Sequence, residues 1–133
     1  VVEHLPNIQE HFKEVFRCLK PWGVYRIGVP NGDSAIAKFA EKDLTWFPDY
    51  PDKRNSIGGK FENFVFCRGE HLTILTYSFL TEILLNNKFI NIKICKPIID
   101  TGYGELFAPC LRKEYETDFE MPHTLILEAV KPH

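Results

Sequence analysis

The sequence predicts one α/β domain that spans residues 1–133. Three observations lead to this fold class. Apolar residues recur at helical spacing in some segments, they cluster in three short strand-like runs, and turn residues separate the two kinds of segment. A chain of 133 residues is also long enough for one hydrophobic core of ordinary size. Helices and strands that alternate along a chain in this way form layered α/β folds.

The first predicted unit is a helix, a tight turn and a strand. The segment NIQEHFKEVFRCLK carries an apolar face at helical spacing, formed by Ile8, Phe12, Val15, Phe16 and Leu19. We expect Asn7 to cap this helix and Pro21 to end it. After the PWG turn, VYRIGV at 24–29 has the composition of a strand, which Pro30 stops.

A second helix and a long irregular segment follow. Residues 31–44, NGDSAIAKFAEKDL, begin with turn residues and continue as a helix that Asp33 or Ser34 can cap. Residues 45–70 contain two prolines and three glycines, so we expect a lid-like loop without long regular elements. The many aromatic side chains of this loop indicate that it packs against the domain.

The C-terminal half predicts a helix, two strands and another loop. SFLTEILLNN has one apolar face, with Ser78 as its cap. FINIKICK alternates through Ile90, Ile92 and Ile94, which predicts a strand with one buried face. Residues 97–122 are expected to form a loop, and HTLILEAVK the last strand. Since no helix separates the last two strands, we expect them to pair antiparallel.

Charge and composition exclude several functional classes. The net charge is −2, from 16 basic and 18 acidic residues, which gives no basis for binding nucleic acid or an anionic membrane. Apolar runs are too short to cross a membrane. The cysteines form no C-x-x-C pair and no zinc pattern. With no secretory leader apparent, we expect a cytoplasmic protein with reduced, buried thiols; two disulfides in a secreted protein are the alternative.

Four phrases follow one another along the chain: VVEHLPN, EVFRCLKPWGVYRIGVPN, HLTILTYSFLTEILLNNKFINIKI and TLILEAVKP. Together they resemble the second half of a class I S-adenosylmethionine-dependent methyltransferase, in the group of predicted small methyltransferases related to type 11. The phrases are similar to the segment after the family's fourth strand, its fourth helix and fifth strand, its His…Tyr-x-Phe stretch and its closing strand. The resemblance implies a partial, three-layer Rossmann-like methyltransferase fold that transfers a methyl group to a small acceptor.

Three departures from the family pattern affect this interpretation. Trp22 and Lys88 stand where the family usually has glycine. We expect Gly23 to keep the permissive backbone position, and Asn86 or Asn87 to take the left-handed cap. The family binds S-adenosylmethionine with a Gly-rich loop after its first strand and an acidic residue after its second, and this sequence shows neither. We therefore expect an acceptor-side part that does not bind the cofactor by itself.

The resemblance points to residues at the ends of strands. His4 and His71 are the candidates for a catalytic base, and Glu3 with His4 for contact with the cofactor. The alternative for Glu3 and His4 is a terminal segment without a role. For His71 it is a hydrogen bond that pins the adjoining loop. The histidines show no metal-ligand spacing, and no metal site is predicted.

Four further residues are candidates for binding the acceptor: Asn31, Asp33, Trp46 and Tyr77. Asn31 and Asp33 follow the first strand, but a turn and a helix cap need the same residue types. Trp46 belongs to an aromatic cluster that can form a binding platform or simply pack under the loop.

Two classes of function remain open from the sequence. The first is a methyltransferase that acts on a small molecule. The second is a non-catalytic α/β module, because three strands leave a bare sheet edge that invites pairing with another chain. The second class predicts a homodimer, or a partner chain, that covers this edge.

Overall fold

The computed structural model describes all residues, Val1–His133, and contains one three-stranded sheet. The strands are β1 (Val24–Pro30), β2 (Ile90–Cys95) and β3 (Thr124–Val130), in the spatial order β1-β3-β2. Both outer strands pair antiparallel with β3. The prediction that the last two strands are antiparallel is therefore confirmed, and β1 and β2 run parallel to each other on either side of β3.

Five α-helices and one N-terminal 3₁₀ turn (Val2–His4) surround the sheet. The helices are α1 (Ile8–Cys18), α2 (Gly32–Ala40), α3 (Ile57–Phe66), α4 (Tyr77–Asn86) and α5 (Gly104–Leu111). Asn7 caps α1 as predicted, since its side chain accepts a hydrogen bond from the backbone N–H of Glu10. The caps of α2 and α4 lie two or three residues earlier than predicted, at Asn31 and Thr76.

The prediction of irregular structure is wrong in the middle of residues 45–70, where α3 forms, and α5 likewise lies inside the predicted loop 97–122. Ser56 caps α3, and its Oγ accepts the backbone N–H of Gly59 at 2.9 Å. A Cβ at position 59 would lie only 2.8 Å from that oxygen, so the glycine belongs to the cap and does not break the helix. The rest of 45–70 is irregular, as expected.

Two hydrophobic clusters form the core. The larger cluster lies on one face of the sheet, against α1 and α4, and includes Ile27, Val29, Leu125, Leu127, Ala129, Phe12, Leu80, Ile83 and Leu84. The smaller cluster joins α2, α3 and the segment between them through Ala35, Trp46, Phe47 and Val65. The expectation that the aromatic residues after position 45 pack against the domain is confirmed for Trp46, Phe47, Phe61 and Phe64, which form a second, smaller core, whereas Tyr50 and Phe66 are exposed.

The opposite face of the sheet carries a buried ion-pair network around Arg26. Its guanidinium donates to Glu128 Oε2 at 2.7 Å, to both carboxylate oxygens of Glu114 at 2.8 and 3.0 Å, and to the carbonyl of Asp100 at 3.0 Å. The other oxygen of Glu128 accepts the backbone N–H of Gly102 at 2.8 Å. Residues 100–114 are therefore held against the face of the sheet that α1 and α4 leave free.

The charges in this network stabilise one another. Burial alone would lower the pKa of Arg26, but its hydrogen bonds to Glu114 and Glu128 outweigh this effect and raise it. Burial would raise the pKa of both carboxyls, but the hydrogen bonds that they accept lower it. All three groups are consequently ionised near neutral pH.

The alternation of buried and exposed side chains predicted for β2 holds only at the start of the strand. A bulge lies between Ile90 and Lys93, where Asn91 has a φ of 52°. The extra residue reverses the side-chain direction beyond it. Ile94, which was expected on the buried face, is therefore 52% exposed, while Cys95 is buried.

The two positions where the methyltransferase pattern usually has glycine adopt the left-handed backbone conformation, although here they carry side chains. Trp22 has a φ of 66° and Lys88 a φ of 69°, so the predictions that Gly23 and an asparagine take these conformations are wrong. Lys88 closes α4 in a Schellman arrangement, in which its N–H donates to Leu85 O and the next N–H, of Phe89, donates to Leu84 O. Hydrogen bonds of the C-cap therefore offset the strain at position 88.

No helix in the structure is both long and apolar enough to cross a membrane. All four cysteines are free. Cys95 is buried, but Cys18 and Cys110 are exposed, so the expectation of buried thiols is wrong for these two.

The strain at Lys88 predicts that Lys88→Gly stabilises the protein by about 1 kcal/mol, because glycine adopts a positive φ without a Cβ clash. Urea unfolding measures the free energy of unfolding. Lys88→Ala is the matched control, since it removes the same long side chain but keeps the Cβ. A glycine variant no more stable than the alanine variant contradicts the prediction.

Candidate functional site

The candidate site lies at the edge of the sheet where β1 and β2 end and β3 begins. Pro30 is paired with Thr124, and Cys95 with Ile126, so the segments that follow β1 and β2 meet the segment that precedes β3. Open α/β sheets bind ligands outside the carboxyl ends of their parallel strands. Side chains from distant parts of the sequence converge at this edge.

Glu3, His4 and His71 form a compact cluster there. Glu3 Oε1 lies 3.6 Å from Nε2 of His4 and 3.8 Å from Nε2 of His71, and the two imidazole rings meet edge to face with centroids 4.6 Å apart. The backbone N–H of Leu72 donates to Glu3 O at 2.7 Å, which ties the N-terminal 3₁₀ turn to the segment after α3. The structure thus brings together both candidate bases and the candidate cofactor contact.

The surroundings of His71 define its protonation. Burial lowers the pKa of His71, and the nearby Glu3 carboxylate opposes this only in part. Nδ1 lies 3.2 Å from the carbonyl oxygen of Val65, which can only accept, so Nδ1 carries the proton. Neutral His71 therefore turns the lone pair of Nε2 toward Glu3 and His4. The pinning hydrogen bond foreseen as the alternative role of His71 is present as well.

Two of the four candidate acceptor contacts, Asn31 and Asp33, have structural roles. Asn31 Oδ1 accepts the Ser34 N–H at 3.1 Å and caps α2. Asp33 Oδ2 accepts the Tyr77 N–H at 2.6 Å, so it connects the first turn of α2 to the start of α4. The side chain of Tyr77 is exposed and makes no hydrogen bond. The hydrogen bonds of Asn31 and Asp33 match the turn and cap roles that the sequence analysis gave as alternatives. They hold α2 and α4 in place at this edge of the sheet.

Trp46, the fourth candidate, forms one wall of a large cleft. The cleft has a volume of about 620 Å³ and is lined by Asp43, Trp46, Tyr50, Tyr115, Asp118 and His123, among others. The indole of Trp46 packs in the smaller core, stacks on the His123 ring at 4.0 Å, and donates Nε1–H to the carbonyl of Met121 at 2.8 Å. Trp46 therefore belongs both to the core and to a cleft large enough for a small molecule.

His123 and Glu116 form an ion pair that the sequence analysis missed. Nδ1 of His123 lies 2.7 Å from Glu116 Oε2, and Nε2 lies 2.6 Å from the carbonyl oxygen of Trp46. The imidazole is therefore held between two acceptor oxygens, a carboxylate on one side and a carbonyl on the other. The only local signal for this pair in the sequence is a glutamate seven positions before the histidine.

The Glu116 carboxylate is fully buried in this pair. Its oxygens accept backbone N–H groups of Thr117, Asp118 and Thr124 in addition to the bond from His123. Burial alone would raise the pKa of Glu116, but these hydrogen bonds outweigh it and lower the pKa. The pair thus fixes the loop before β3 to the wall of the cleft.

The residues around Glu3 do not fit S-adenosylmethionine. The cavity that Glu3 and His71 line has a volume of only about 10 Å³, which holds one water molecule and no nucleoside. Gly32, which follows β1, does not open the site, since a Cβ there would lie 2.7 Å from Leu75 O. The space next to Gly32 is therefore occupied by Leu75 of the same chain and is not open to a ligand.

The lowered pKa of Glu116 predicts an acid-sensitive contribution to stability. Its pKa is lower in the folded chain than its ordinary value of 4.5, so ionised Glu116 stabilises the fold above that pH, and the contribution is lost as pH falls through the folded-state pKa. We expect Glu116→Gln to cost about 2 kcal/mol at neutral pH. Urea unfolding across a pH series should show this difference shrinking below about pH 4. A difference that stays constant into stronger acid contradicts the assignment.

Comparison with protein-family models found no family that matches the chain, and comparison with curated proteins found no match either. The resemblance to methyltransferases therefore stays a hypothesis drawn from the four phrases quoted above.

Proposed function

We propose that the chain is the acceptor-side part of an S-adenosylmethionine-dependent methyltransferase that acts on a small molecule. The observation that carries this proposal is the convergence of Glu3, His4 and His71. These residues come from two of the four phrases on which the resemblance rests, and they meet at the edge where open α/β sheets bind ligands.

The sheet supports a partial Rossmann-like interpretation. β1 and β2 are parallel, and the last strand is inserted between them in the opposite direction. α1 and α4 cover one face. The other face is covered by residues 100–114, which Arg26 holds in place. This segment includes α5, which contributes no buried residue. The third layer of the proposed fold is therefore thin in this chain.

The residues of this chain are assigned to binding and activating the acceptor. The cleft beside Trp46 has room for a small molecule. The Phe64 ring lies between this cleft and the cluster, because it lines the small cavity next to His71 and its centroid is 5.2 Å from that of the Trp46 ring. Neutral His71 offers a lone pair that can take a proton from an acceptor O–H or N–H, and Glu3 can then stabilise the imidazolium. Cofactor binding is not assigned to these residues.

The proposal predicts that His71→Gln lowers methyl transfer by at least about 100-fold, because the group that activates the acceptor is lost. The measurement is transfer of labelled methyl from S-adenosylmethionine to a panel of small hydroxyl and amine acceptors by the full-length gene product. His133→Gln is the control, since His133 stacks on Trp22 in the turn before β1, at the opposite end of the strand. Lack of transfer to any acceptor by the wild type contradicts the proposal, as does an undiminished rate in the His71 variant.

One observation favours a second candidate, the non-catalytic module. β1 pairs only with β3, so its outer side has no strand neighbour and can pair with a second copy of the chain.

This alternative predicts that the 133-residue chain forms a dimer whose population grows with concentration. Size-exclusion chromatography with light scattering gives the mass directly. A monomer at every concentration contradicts self-association through β1.

A further inference from the structure

The Glu3–His4–His71 cluster has the composition of a transition-metal site. Two imidazole nitrogens and one carboxylate oxygen, one atom from each residue, all lie within 4.8 Å of one another. Imidazole suits Zn²⁺ and its first-row neighbours, whereas Mg²⁺ and Ca²⁺ prefer sets made only of oxygen. We propose that this cluster binds one divalent first-row metal ion, for which Zn²⁺ is the reference.

Two of the three distances between ligand atoms fit such an ion after a small contraction. Ligand atoms about 2.1 Å from tetrahedral Zn²⁺ lie about 3.4 Å from one another. Glu3 Oε1 is 3.6 Å from Nε2 of His4 and 3.8 Å from Nε2 of His71. His4 lies on a single 3₁₀ turn and its side chain is 42% exposed, so it is the ligand with the freedom to adjust.

The hydrogen bonds around the cluster leave three ligand atoms without a protein partner. The Glu3 side chain is only 10% exposed, and its Oε2 accepts a hydrogen bond from the N-terminal ammonium of Val1 at 3.0 Å. Its Oε1 accepts no hydrogen bond and faces the Nε2 atoms of the two histidines instead. Val65 holds the proton of His71 on Nδ1, so Nε2 presents a lone pair to the same point. Metal-binding histidines are commonly oriented in this way, by a carbonyl that accepts from the nitrogen that does not bind the metal.

Three protein ligands leave one position of a tetrahedral ion open, which is the arrangement of catalytic zinc. If the proposed methyl transfer holds, the acceptor oxygen or nitrogen would occupy this position and lose its proton to solvent more readily there. With the metal bound, His71 would then activate the acceptor as a metal ligand and would not itself take the proton. This role rests on the proposed function, but metal binding itself does not.

A metal titration of the untagged chain, stripped with a chelator, tests the inference. Zn²⁺ is added in competition with a metallochromic indicator. We expect one ion per chain and at least about a tenfold loss of affinity in each of the variants Glu3→Gln, His4→Gln and His71→Gln. Wild-type affinity is expected in His133→Gln and in Cys18→Ser/Cys110→Ser, which removes the two exposed thiols.

Two further measurements separate the site from trivial causes. Thermal unfolding of the metal-free variants shows whether each one folds, and the exposed His4 should be replaceable without loss of stability. Co²⁺ in place of Zn²⁺ should give visible d–d bands without thiolate charge transfer. Absence of binding, wild-type affinity in all three ligand variants, or loss of binding in the cysteine variant overturns the inference. Metal binding without methyl transfer contradicts the proposed function alone.

Discussion

The buried guanidinium of Arg26 is the constraint on which the two sides of the molecule depend. Arg26 and Glu128 are 102 positions apart and paired across the sheet, and the bond to Glu114 holds the segment before β3 on the same face. Two positions further on, Glu116 binds His123 and so shapes the cleft. Removing one partner of the buried pair of Arg26 and Glu128 costs about 3–5 kcal/mol. The geometry of the sheet edge that carries the candidate site is therefore coupled to the interior of the sheet.

Local patterns predicted most of the regular structure, and the misses have local causes. α1 and β1 follow from their apolar patterns because each packs one face on the core, whereas β3 follows from a short apolar run that is buried on both faces. α3 was missed because two glycines in its first turn look like breakers, whereas Gly59 makes room for the cap by Ser56. The exposed face of Ile94 was missed because a single extra residue near Asn91 reverses the alternation.

The candidate site was only partly predictable, since its contacts join residues far apart in sequence. The resemblance indicated His4 and His71 separately as candidate bases, but neither the resemblance nor periodicity or spacing indicated that the two rings meet. The pair of Glu116 and His123 has no periodic signature, because its geometry depends on the tertiary contact that brings the carbonyl of Trp46 to the ring. A helix cap such as Asn31 can be predicted from the local sequence, but the contacts that such residues make with distant parts of the fold cannot.

The central position of β3 determines when the sheet can form. β1 and β2 have no hydrogen-bonded strand partner except β3, which follows both of them in the chain. During synthesis, which proceeds from the N-terminus, both strands must therefore wait unpaired until β3 has left the ribosome. Helices can form earlier because their contacts are local. Each strand pair, in contrast, joins residues far apart in sequence, so it must close a long loop and forms late. Until then the apolar faces of β1 and β2 lack their pairing with β3, and residues 1–123 alone contain none of the strand pairs of this sheet.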